Sequence, residues 1–120
     1  MITIKFSDHI EQQYNSFKEI LKLDNYNDII YIWCVNNSLS ILPELPNSLE
    51  IFWCVNNSLS ILPELPNSLI ELYCCANKLS SLPKLPNSLE ILWCSSNNLS
   101  SLPELPNLLD DFVYYDNPIY

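Results

Sequence analysis

Cys34, Cys54, Cys74 and Cys94 return every 20 residues along this chain. A thiolate can attack an electrophile, ligate zinc or close a disulfide. Each of these needs a particular geometry. Structural zinc sites draw on CxxC pairs that converge on one point, whereas cysteines at equal long intervals form a line. A nucleophilic thiol needs a neighbouring base, and the only histidine is His9, close to the N-terminus and far from most of the row. The row therefore predicts free cysteines packed as small hydrophobes, facing a core at strand spacings of roughly 4.8 Å. Neighbour-to-neighbour disulfides stay open as an alternative, although four equal thiols in a row favour a reducing, cytoplasm-like setting. Cys75 departs from the row, and its one-residue offset from Cys74 turns it to the opposite, more exposed face. There is no phosphate loop, catalytic triad or metal cluster, so the expectation is a non-enzyme with no cofactor and no metal.

The cysteines are positioned by a larger repeat. LPxLPNSL occurs at 42–49, 62–69 and 82–89, and LPELPNLL at 102–109, at an interval of 20 residues. A fixed period of that length is the signature of a solenoid. Leu49, Phe52, Cys54, Asn57, Leu59 and Leu62 fit L-x-x-L-x-L-x-x-N-x-L. Leu69, Leu72, Cys74, Asn77, Leu79 and Leu82 fit it again, and so do the residues 20 positions further on. The first unit fits through Ile29, Ile32, Cys34, Asn37, Leu39 and Leu42. A last, cut-off unit fits through Leu109, Phe112, Tyr114, Asn117 and Ile119.

By these motifs the chain resembles leucine-rich repeat proteins, in particular the short 20-residue LPxLPxxL subtype found in secreted bacterial effectors. The resemblance implies an α/β solenoid of about five turns, with a parallel sheet on the concave side and extended or polyproline-II backbone on the convex side. It also implies protein–protein recognition through the concave face. The ubiquitin-ligase domain that follows the repeats in related effectors has no counterpart in these 120 residues, so its activity does not carry over.

Within each unit the order is strand, turn, convex segment. Strands are expected at 31–34, 51–54, 71–74, 91–94 and 111–114, with alternate side chains on opposite faces. Phe52 and Cys54 then point in, and Ile51 and Trp53 point out. The prolines at 43/46, 63/66, 83/86 and 103/106 cannot sit inside a ladder and suit an extended convex wall. Asn37, Asn57, Asn77, Asn97 and Asn117 should form an inward ladder that satisfies backbone groups where the chain leaves each strand. Asn47, Asn67, Asn87 and Asn107 read as turn formers at the other bend.

Two outward columns result, Trp33, Trp53, Tyr73, Trp93, Val113 and Tyr31, Ile51, Glu71, Ile91, Asp111. Solvent-facing sheet positions are normally polar, so an aromatic row about 14 Å long marks a patch of the kind used in binding. The competing explanation is that aromatics simply stack well on a β surface, and the near-identity of the first two units is compatible with copying by duplication. Tyr31, Trp33, Ile51, Trp53, Glu71, Tyr73, Ile91, Trp93 and Asp111 are the expected partner-binding residues, with Glu71 and Asp111 pairing to Lys or Arg on the partner.

At the N-terminus, Ile2, Ile4 and Phe6 alternate as in a short strand. Ile10, Tyr14, Phe17 and Leu21, with Ile20, lie at helical spacing. Asp8 and Glu11 suit a capping box. A helix over 8–22 is expected, either covering the first turn as a solenoid cap or docking a partner. Residues 1–28 are thus read as cap and connection and 29–120 as the solenoid.

The net charge is −9, with five Lys and no Arg. Nucleic-acid binding needs clustered cations, and an anionic membrane surface does too, so neither is an expected partner. No apolar run reaches the ~20 residues needed to span a bilayer, and the N-terminus lacks a Sec-type signal. A cytoplasmic location is expected, in a host cell if the source is a parasite, symbiont or virus. The function read from the sequence is a protein-binding module with an unknown protein partner. The alternative is self-association, a possible homo-oligomer pairing through the open edge left by the cut-off last unit. One consequence is directly measurable. In native protein Cys75 should react first with a thiol reagent and the other four only after denaturation; stoichiometric zinc in purified protein would refute the packing role.

Overall fold

The computed structural model describes residues 1–119; Tyr120, expected as the last residue of the solenoid, lies outside them. Strands form where β-branched and aromatic residues sit between the proline-rich segments: β3 (Tyr31–Trp33), β4 (Ile51–Trp53), β5 (Glu71–Tyr73), β6 (Ile91–Trp93) and β7 (Asp111–Val113). They pair in parallel with like positions opposed, Ile32 to Phe52 to Leu72 to Leu92 to Phe112. Four 20-residue turns therefore link five parallel strands, where the sequence suggested about five turns. The chain is a parallel β-solenoid.

The inward columns are the core. Ile32, Phe52, Leu72 and Leu92 are buried, as are Cys34, Cys54, Cys74 and Cys94 beside them. On the opposite wall Leu42 and Leu45 are both buried while Glu44 between them is exposed, and the next two units repeat this. A polyproline-type segment has three residues per turn, so leucines three apart face the same way. Each convex segment ends in a turn closed by a bond such as Leu49 N–H to the Pro46 carbonyl, at 3.2 Å. Ser68 and Ser88 add a rung there that the sequence did not suggest. Each hydroxyl shares its one proton between two carbonyls of the preceding unit, Ser68 with Asn47 and Leu49, Ser88 with Asn67 and Leu69.

The asparagine ladder is present as expected. The Asn77 amide nitrogen donates to the carbonyls of Cys54, Cys74 and Cys75 at 3.0, 3.1 and 3.2 Å, and its oxygen accepts from Leu59 N–H at 3.1 Å. Asn57, Asn97 and Asn117 repeat the arrangement in the other units. At the first rung, Asn37 exchanges bonds with the Met1 amino group and carbonyl.

The turn leaving each strand also needs a left-handed residue. Asn36, Asn56, Ala76, Ser96 and Asp116 all have φ between 56° and 61°. In a chain with no glycine, Asn and Asp tolerate this region through local side-chain bonds, while Ala carries its steric cost uncompensated.

The N-terminus departs from the expected helix over 8–22. β1 (Ile2–Lys5) forms as expected, but β2 (Glu11–Tyr14) is an antiparallel partner to it, and only one helical turn, α1 (Phe17–Ile20), follows, with a 3-10 turn at Tyr26–Asp28. Asp8 accepts a bond from Ile10 N–H inside the hairpin turn, so it caps no helix. The helical stripe splits accordingly: Phe17 and Ile20 are buried, Ile10 and Leu21 exposed. β1 pairs antiparallel with β3 and continues the sheet, giving the order β2-β1-β3-β4-β5-β6-β7. Pairing wins over the helical pattern because a helix would leave the β1 ladder groups unpartnered. Among the described residues no helix is long and apolar enough to cross a membrane.

Two substitutions test this account. Asn77→Ala removes the acceptor of the buried Leu59 N–H and leaves the Cys54 and Cys74 carbonyls to the amides of Asn57 and Asn97 alone, and should cost about 2 kcal/mol in urea unfolding. Asn77→Asp should fare no better, because a carboxylate cannot donate to them. Ala76→Asn should instead raise the unfolding midpoint, by about 0.5–1 kcal/mol of stability, since Asn tolerates the left-handed region. An unchanged or lowered midpoint would remove the steric explanation.

Candidate functional site

The pleat that buries the cysteine row sends alternate side chains to the other face of the sheet. By register, one outward row runs Glu11, Lys5, Tyr31, Ile51, Glu71, Ile91, Asp111 across the seven strands. The second runs Gln13, Thr3, Trp33, Trp53, Tyr73, Trp93, Val113. All nine residues expected from the sequence thus lie in two adjacent rows of one face. Lys5 and Glu11 join them, and the sequence reading missed both. The signal was available for Lys5, which alternates with Ile2 and Ile4. It was hidden for Glu11 by the helical pattern.

The second row is an aromatic stack rather than a set of separate rings. Trp53 and Tyr73 lie face to face with centroids 3.6 Å apart at 11°. Trp93 stands across Tyr73 at 88° with centroids 4.9 Å apart, and across Trp53 at 81° and 6.2 Å. Flanked in this way, Tyr73 is only 5% exposed, whereas Trp33, at the end of the row, is 37% exposed. Trp53 and Trp93 are half-buried. Tyr73 therefore serves as the support of the row more than its contact surface. Its hydroxyl donates to Glu71 Oε1 at 2.6 Å. Burial, that hydrogen bond and the charges of Glu71 and Asp111 push the phenol pKa up, so it stays a donor. The indole N–H of Trp93 is buried with no hydrogen-bond partner among the described residues.

At the hairpin end, Lys5 Nζ lies 4.4 Å above the centre of the Tyr31 ring and 4.0 Å from Glu11 Oε1. A cation thus rests on an aromatic ring beside a carboxylate, on the same face as the row.

Thiol chemistry has poor prospects in the row of four. All five cysteines are free thiols. Burial pushes Cys34 and Cys94 up to about 12, and Cys54 and Cys74 well above the ordinary thiol value, so no thiolate forms there near neutral pH. Cys75 is half-buried on the outward side, as its offset suggested, and its Sγ accepts a bond from Ser95 Oγ at 3.2 Å. Among the described residues no three metal-ligating side chains converge.

No protein-family model and no curated protein matches the chain. Solved structures do. A Shigella effector LRR domain is 31% identical in sequence and superposes with a TM-score of 0.68, over 83% of this chain and 53% of that one. YopM from Yersinia enterocolitica WA-314 is also 31% identical, with a TM-score of 0.64, over 88% of this chain and 30% of that one. The chain thus spans about half the length of the first and under a third of the second. With the 20-residue frame, the parallel ladder and the stacked asparagines already in place, the chain has the leucine-rich repeat fold, and its short repeats are similar to those of bacterial effectors.

Proposed function

We propose that this chain is a non-catalytic protein-binding module and that its partner docks on the aromatic row of the concave face. The observation that carries this is the row itself: three tryptophans on one sheet face, at least partly open to solvent, with no segment of the described chain laid over them. Tryptophan and tyrosine dominate binding hot spots because they bury a large area with little rotamer entropy to lose. Here the entropy loss is smaller still, since the rings are already stacked on one another and on a paired sheet. The likeness to the repeats of effectors supports an interaction role.

Self-association along β7 is the weaker reading. Asp110, Asp111 and Asp116 line that edge, and two copies paired there would bring like charges together.

The test is the double variant Trp53→Ala, Trp93→Ala, screened beside the unaltered chain against an arrayed proteome. Loss of a partner's binding by thirtyfold or more, about 2 kcal/mol, is the expected result for buried anchors. The melting temperature should fall only modestly, because Phe52, Leu72 and Leu92 stay covered on the other face. A partner that binds both forms equally would return the aromatics to a purely structural role.

A further inference from the structure

We propose that the segment received by this face is cationic, an extended peptide carrying Lys or Arg three residues apart that settle on Glu71 and Asp111 beside the aromatic row. The inference rests on the protein-binding reading and adds the partner's chemistry to it.

The first ground is charge. From β3 to β7 the outward rows contain Glu71 and Asp111 and no cation, and Glu50, Glu90 and Asp110 stand one residue before the strands at the same end. The chain as a whole carries −9. A second copy, an anionic lipid surface and a nucleic acid all meet this face with the wrong sign. A single metal ion does not fit either. Glu71 and Asp111 are only two carboxylates, and among the described residues no three metal-ligating side chains gather to hold an ion.

The second ground is that the chain already docks a cation on this face by itself. Lys5 reaches in from an extended strand, lies over Tyr31 and pairs with Glu11. A half-buried ring and a half-buried carboxylate recur at Trp93 and Glu71, on strands whose outward positions hold no Lys. Tyr73 holds the Glu71 carboxylate through one oxygen, which fixes the group and leaves its other oxygen to accept from a guanidinium or ammonium. Arginine suits the position best, since its planar fork can bond a carboxylate while its face lies on an indole.

The third ground is spacing. In a polyproline-type peptide, residues i and i+3 point the same way about 9.3 Å apart, close to the two-strand separation of Glu71 and Asp111. Aromatic-lined surfaces are known receivers of such peptides, which have little conformational entropy left to lose.

The experiment is a selection from a random displayed-peptide library on the full chain, with peptides that also bind the Trp53→Ala, Trp93→Ala variant discarded. Affinities of the survivors are read by tryptophan fluorescence, because all three tryptophans of the chain lie on this face. The expected survivors are enriched in Lys and Arg at positions three apart. They should bind about tenfold more weakly to Glu71→Gln, Asp111→Asn, and lose affinity as salt is raised. Gln retains an acceptor for the Tyr73 hydroxyl, so the row keeps its support, and the salt titration needs no variant at all. Survivors that are neutral or acidic, or that are indifferent to salt and to the carboxylate variant, overturn the cationic assignment and leave the aromatic face as a binding surface. A selection that yields no tryptophan-dependent peptide overturns both.

Discussion

Everything in this molecule depends on one inward side-chain amide per turn. A solenoid must take its backbone out of the sheet while still inside the core, and the carbonyls at that corner cannot reach water. The asparagine at 57, 77, 97 and 117 answers the problem twice over. Its nitrogen covers carbonyls of its own corner and of the preceding one, and its oxygen takes an N–H from the preceding turn. Because the same side chain serves two turns, it fixes their register as well as satisfying them. A slip of one residue would leave buried groups unpaired in every turn at once, which is a far steeper penalty than the loss of any single packing contact.

That register is why core and surface were legible to such different degrees. The 20-residue period identified the architecture, and the alternation within each strand sorted Cys34, Cys54, Cys74 and Cys94 inward and Trp33, Trp53 and Trp93 outward. Both follow from backbone geometry alone. What the period could not supply was the relation between side chains in a column. Tyr73 shares the outward phase of its neighbours yet is nearly buried, because Trp53 lies flat on it and Trp93 stands against it. Phase gives the face on which a ring begins; where large rings come to rest depends on their mutual packing.

The cap shows a different kind of limit. Ile10, Tyr14, Phe17 and Leu21 have helical spacing, and nothing local contradicts a helix. The decisive term is non-local. β1 pairs with β3, and its other edge then needs a partner, which the residues following it supply with four register pairs. Four polar or half-buried residues, Glu11 to Tyr14, thereby become a strand against a weak local preference. The hairpin also presents Lys5 and Glu11 on the outward face, so the missed strand and the missed face residues are one error with one cause.

A like-on-like stack places a further constraint on any surface function. Each side chain lies about 4.8 Å from its counterparts in the adjoining turns, so a charge that suits one turn becomes a column of like charges if it is simply repeated. The outward row avoids this: Glu71 is flanked by Ile51 and Ile91, and Asp111 by Ile91. On the convex wall Glu44 and Glu64 are adjacent, but Lys84 then separates Glu64 from Glu104. Core columns gain by repetition, since a leucine or asparagine that fits one turn fits the next. Charged columns lose by it. The charge chemistry of recognition in such a solenoid must therefore be carried by the positions where a turn departs from its neighbours, and β5 and β7, with Glu71 and Asp111, are where this sheet does so.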